Sequence, residues 1–110
     1  ANLLYGRPLR ELYFAEGNRM MRRVLLNGNM MRTREELHAH LARRLQLPEY
    51  YGNNLDALSD CLSELDGVSI TLRRRGNMLA GLGEYGFRLM AVLSAATRDN
   101  PGLRFRATDR

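Results

Sequence analysis

The chain has 110 residues, 45% of them apolar, and a formal net charge of +5. That length fits one compact domain whose core needs no metal or disulfide staple. The single cysteine, Cys61, excludes an internal disulfide and fits a reducing compartment. No segment approaches the roughly 18–20 apolar residues of a membrane span, and the N-terminus lacks the charged, apolar and small-residue regions of a signal peptide. The expectation is a cytoplasmic protein. All 17 basic residues are arginine; a GC-rich coding bias explains that, and phosphate binding is the functional alternative, since guanidinium forks match phosphate geometry.

Residues 1–20 read in two ways. Pro8 and Gly17 bracket RPLRELYFAEG, with Leu9, Leu12 and Tyr13 on one helical face, the asymmetry of a short helix. Alternatively, ELYFAEGNRM is similar to a protease-cleavage tag, and residues 1–20 are then a vector remnant rather than a natural extension. The folded domain is expected over 21–110. Arg22 to Leu26 predicts a strand closed by the turn pair Asn27-Gly28. Thr33 and Glu36 form a capping box, and the helix behind it buries Leu37, Leu41 and Leu45 until Pro48 stops it.

Val68 to Arg73 alternates apolar and polar residues and predicts a second strand with one covered face. Asn77 to Leu82 predicts a loose helical turn. Glu84 to Thr97 predicts a longer helix, the most buried of all, because Phe87, Leu89, Met90, Val92 and Leu93 form a broad apolar arc. Leu103 to Ala107 is the last strand, with Arg104 and Arg106 opposite Leu103 and Phe105. The order β-α-α-β-α-α-β favours a small three-stranded parallel sheet with helices packed on it.

Between the first helix and the second strand lies a window of opposite charge. From Glu49 to Asp66 there are five acidic residues and no arginine, so the rest of the chain carries +10. At about 100° per residue, Leu55, Leu58, Cys61, Leu62 and Leu65 share one helix face and Asp56, Ser59, Asp60 and Ser63 the other. Asn53 or Asn54 caps its start. Like charges four residues apart cost about 0.2–0.5 kcal/mol of helix stability; the helix dipole offsets part of that at Asp56 and little at Asp60.

The stretch LPEYYGNNLDALSDCL resembles the signature of the barstar family of intracellular ribonuclease inhibitors. The similarity extends upstream through VLLNGNMMRTREELHAHLARRLQ, and covers roughly residues 22 to 107. The resemblance implies a three-stranded parallel sheet and an inhibitor of a guanyl-specific, barnase-type ribonuclease. The helix and preceding loop would occlude the enzyme's cationic active site. It further implies Asp60 as the anchor at the phosphate site, Asp56 paired with a second cation, and Tyr50 stacked on a catalytic histidine. Gly52 and Asn54 would supply backbone and amide contacts.

The chain departs from the family at the edges of that surface. Ser59 replaces an aromatic of the family, Leu65 stands near where the family has a second exposed tryptophan, a residue type absent from this chain, and Ser94, Ala95 and Ala96 occupy the region of a further acidic contact of the family. Family members are acidic; this chain is basic. The partner would be an extracellular or toxin-type ribonuclease, with no cofactor and no catalytic role for the inhibitor. A nucleic-acid-binding module is the rival reading, its cationic patch built from Arg23, Arg73, Arg74, Arg75, Arg104 and Arg106 on an outer sheet face. His38 and His40, about 200° apart on their helix, cannot share a metal ion; His38 reads as packed, and Cys61 as core.

Overall fold

The computed structural model describes residues 3–4, 7–8 and 12–110. Strands β1 (Leu3–Leu4) and β2 (Arg7–Pro8) form a two-residue antiparallel pair. The main sheet contains β3 (Tyr13–Glu16), β4 (Arg19–Asn27), β5 (Val68–Arg73) and β6 (Leu103–Ala107), in the order β3-β4-β5-β6. The helices are α1 (Arg34–Leu45), α2 (Leu55–Ser63), α3 (Arg75–Leu82) and α4 (Glu84–Asp99).

The three expected strands β4, β5 and β6 pair in parallel as anticipated, Val24 opposite Ile70 and Ile70 opposite Phe105. The sheet is nevertheless four-stranded and mixed, because β3 adds an antiparallel edge to β4. This corrects the three-stranded expectation and the helix expected up to Gly17. Gly17 (φ 61°) does not end a helix; with Asn18 it turns a hairpin, placing Tyr13 opposite Arg22. Local helical spacing over so few residues loses to a strand register that buries Met21 completely. Residues 9–11 of that expected helix lie outside the described residues.

One sheet face carries the core. Val24 and Leu26 of β4, the buried alternates Val68, Ile70 and Leu72 of β5, and Leu103 of β6 join Leu37, Leu41 and Leu45 of α1 in a single cluster. Thr33 caps α1 by accepting from the Glu36 amide at 3.1 Å, and Gln46 closes it in the left-handed region at φ 56°. Packing of α1 on β4 and of α4 on β6, with α2 against α4, covers that face. Two expectations for the C-terminal half change. The loose turn is an eight-residue helix, α3. The long helix α4 is less buried than its arc implied: Phe87 is 63% exposed, and Met90 and Val92 only half-covered. Gly86 explains the approach of the two helices, since a Cβ there would meet Leu79 and Met78 at 2.9 and 3.0 Å.

His40 ties α1 to the sheet. The Asn27 amide donates to His40 Nε2 at 2.9 Å, and the imidazole is 4% exposed. Burial, followed by the charges of Arg43 and Arg44, pushes its pKa down to about 4. The unfolded chain therefore takes up a proton near pH 6.5 that the folded chain refuses. Stability is full above that pH and is lost as pH falls from about 6.5 to about 4. This histidine accounts for a loss on the order of 3 kcal/mol. Urea unfolding across that range should show a shallower pH dependence for His40→Gln than for the wild type; equal slopes would exclude His40 as the source.

Candidate functional site

The acidic window folds as its periodicity requires. Leu55, Leu58 and Leu62 of α2 are buried, while Asp56, Ser59, Asp60 and Ser63 are exposed on the opposite side. Asn54, not Asn53, is the cap: its Oδ1 accepts from the Ala57 amide at 2.8 Å, and its Nδ2 donates to the Gly52 carbonyl at 3.1 Å. Asn53 takes the left-handed turn position at φ 54°, where asparagine is among the better-tolerated residues. At the other end Asn100 Nδ2 donates to the carbonyls of Leu62 and Leu65 at 2.9 and 2.7 Å. Both termini of a nine-residue helix are thus satisfied by side chains.

Asp56 and Asp60 make no ion pair among the described residues. The three ion pairs there use Asp66, Asp109 and Glu16 instead. The acidic face therefore keeps its charge available to an outside cation. Ser63 Oγ donates to the Asp60 carbonyl at 2.6 Å, a bond that leaves the carboxylate alone.

The tyrosine pair divides between surface and core. Tyr50 is 86% exposed, Tyr51 only 7%. Tyr51 Oη lies 2.6 Å from His38 Nδ1, and Tyr85 Oη 2.7 Å from His38 Nε2. A neutral imidazole has one N–H and one lone pair, so one phenol accepts from His38 and the other donates to it. Desolvation, then the charge of Arg34, lowers the His38 pKa and favours that neutral form; burial raises that of the Tyr51 phenol. This buried chain fastens the loop before α2 to α1 and α4. Periodicity identifies His38 as packed, but its bridging role depends on Tyr85, 47 residues away, and carries no local signal.

The remaining expected positions are less uniform. Gly52 is exposed, but a Cβ there would lie 3.2 Å from Asn54 Nδ2 and 3.3 Å from Ala57 Cβ, so the cap leaves little room for a side chain. Ser59 stands between the two aspartates on the open face. Leu65 is partly buried and packs on the core, as does Cys61, whose thiol pKa is raised by burial and then by Glu64 and Asp60. On the outer sheet face, Arg104 donates to Glu16 at 2.7 Å and Arg23 lies 4.2 Å over the Phe14 ring. Arg75 is bound to Asp109 at 3.0 Å. Half of the six-arginine patch is therefore engaged within the protein. Among the described residues no cluster of three or more His, Cys, Asp or Glu side chains could hold a metal ion, and no helix is long and apolar enough to cross a membrane.

Removing the Tyr51 hydroxyl strands a buried imidazole nitrogen, which costs about 1–3 kcal/mol. Tyr51→Phe should lower the urea midpoint accordingly, whereas Tyr50→Phe should change stability by less than about 0.5 kcal/mol. Equal effects would refute the division between the two tyrosines.

Two comparisons with known proteins bear on this surface. A family model described as Barstar (barnase inhibitor) matches residues 21–109. A Bacillus subtilis (strain 168) protein, described as putative ribonuclease inhibitor YrdF, is 33% identical over 81 residues, spanning 72% of this chain and 89% of that protein. The match takes in β4 to β6, all four helices, and the capped acidic helix with its loop. The chain thus belongs to the barstar family of ribonuclease inhibitors.

Proposed function

We propose that the protein inhibits a barnase-type ribonuclease in the cytoplasm by inserting the exposed face of α2 and the loop before it into the enzyme's active site. What carries this reading is the presence of Asp56 and Asp60 on one rigid, doubly capped helix face, with no ion pair among the described residues. A ribonuclease site must bind phosphodiester and is lined with cationic groups. Carboxylates held on a helix substitute for the phosphate and form charge-assisted hydrogen bonds there. Because their places are set before contact, little side-chain ordering remains to oppose binding.

In this reading Asp60 occupies the phosphate site, Asp56 meets a second cation, and the exposed ring of Tyr50 covers the catalytic histidine. Gly52 and Asn54 contribute a close backbone approach and an amide. Ser59 and Leu65 lie at the edge and adjust partner choice. The inhibitory domain is residues 21–110, with 1–20 an extension, and the target is an extracellular or toxin-type ribonuclease. Inhibition is occlusion: substrate RNA and α2 compete for the same cations, and no chemistry takes place on the inhibitor.

Asp60→Ala should weaken inhibition by about 2 kcal/mol or more, ~30-fold, with Asp56→Ala smaller. Titrating ribonuclease activity with each variant measures this, and an unchanged inhibition constant for Asp60→Ala would refute the assignment. The net charge of +5 adds a kinetic expectation. With a Debye length of about 8 Å at physiological salt, the aspartates dominate at contact while distant arginines oppose approach to a basic enzyme. Replacing Arg98 and Arg88 with serine should raise the association rate in stopped flow and leave the dissociation rate nearly constant. An association rate indifferent to those substitutions would rule out long-range opposition.

A further inference from the structure

A cavity of about 410 Å³ opens where β4 and β5 end, and neither the acidic helix nor its loop lines it. Its polar walls are Asn27, His40, Arg43, Arg44, Arg73 and Arg74, and no Asp or Glu lines it among the described residues. That volume falls within the range of small-ligand sites, about 300–1,000 Å³. Its place is general to parallel sheets: side chains beyond the carboxyl ends of paired strands converge on a shared crevice. Here the register sets Asn27 opposite Arg73, which brings the end of β5 beside the last turn of α1. Arg74 follows in the left-handed region at φ 54°, a conformation glycine would adopt without strain.

His40 shows what the cavity lacks. Its Nε2 accepts the Asn27 amide and so carries no proton; the proton of the neutral ring is on Nδ1. Yet Nδ1 lies 3.3 Å from a terminal nitrogen of Arg43, which is also only a donor. Two donors face one another on a side chain that is 4% exposed. An anion oxygen set to one side of the pair, within about 3 Å of each nitrogen, would accept from both.

We propose that this cavity binds a multiply charged phosphate group, held by His40 Nδ1–H and the guanidinium groups of Arg43, Arg73 and Arg74. Guanidinium forks bind phosphate oxygens in pairs, and several together match a di- or triphosphate better than a single carboxylate. Leu12, Leu25 and Met30 form an apolar wall beside them, suited to the sugar or base that such a group carries. The phosphate belongs either to a free nucleotide or to an RNA strand. The site is independent of the inhibitory reading, since none of its residues is on α2.

Calorimetric titration of the full chain with sodium pyrophosphate tests this. Pyrophosphate should bind, and binding should shift the ¹⁵N signal of His40 Nδ1. Affinity should fall about tenfold or more in Arg43→Ser/Arg73→Ser. Both residues are exposed, so the urea midpoint of this variant should match the wild type. Asp60→Ala and Arg104→Ser/Arg106→Ser should bind pyrophosphate as the wild type does. RNA oligonucleotides with a 5′-triphosphate or a 5′-hydroxyl then separate the sources. A preference for the triphosphate end, or equal binding of both strands, each lost in the Arg43/Arg73 variant, supports the site. Failure of pyrophosphate to bind, or binding undiminished in that variant, overturns it.

Discussion

The seating of Leu55, Leu58 and Leu62 in the core decides how α2 can be used. Leu58 and Leu62 are fully buried and Leu55 is 7% exposed, so the helix cannot rotate about its axis without bringing apolar surface into water at about 25 cal/mol per Å². That constraint, more than any property of the aspartates, points Asp56 and Asp60 outward. The Asn54 cap and the Asn100 contacts hold the helix along its axis. Their joint effect is a carboxylate pair placed by packing, which is what recognition of a preformed cationic site requires.

The loop before the helix is built on the same plan. Tyr51 points inward to His38 and Tyr85 while its neighbour Tyr50 is left to solvent. An exposed aromatic next to a buried one costs the fold little, because the buried ring fixes the backbone that presents the other. The histidine between two phenols makes a fully satisfied polar chain in the interior, which specifies one loop position where apolar packing alone would tolerate several.

Charge is arranged by place. The acidic face of α2 has no ion pair among the described residues, while Glu16, Asp66 and Asp109 each meet an arginine, and the hairpin β3–β4 supplies two of these pairs, Arg19–Asp66 and Arg104–Glu16. A basic chain can thus keep a locally acidic surface. At the ends of β4 and β5 arginines line one cavity, and among the described residues no Asp or Glu lines it with them. The chain presents anions on one helix and cations around one cavity.

The sequence by itself determined the parallel strands β4, β5 and β6, the capped helix α1 and the two-faced helix α2. In each, apolar spacing, a capping residue and a breaker agree within a short window. Leu37, Leu41 and Leu45 or Val68, Ile70 and Leu72 need no distant partner to be read. The family signature around Tyr50 to Asp60 was legible for the same reason, being contiguous. Only the tertiary structure decided the rest. The edge strand Tyr13–Glu16 exists because β4 offers an open edge and Met21 a burial site, and neither is visible in residues whose local spacing is helical. Phe87 stays exposed because the sheet and α2 cover a narrower arc of α4 than its apolar residues span. His38 gains its second phenol, and His40 its backbone donor and arginine neighbours, from segments brought together only by folding. Periodicity reports which face of an element is buried; what it meets there is a matter of packing between elements far apart in the chain.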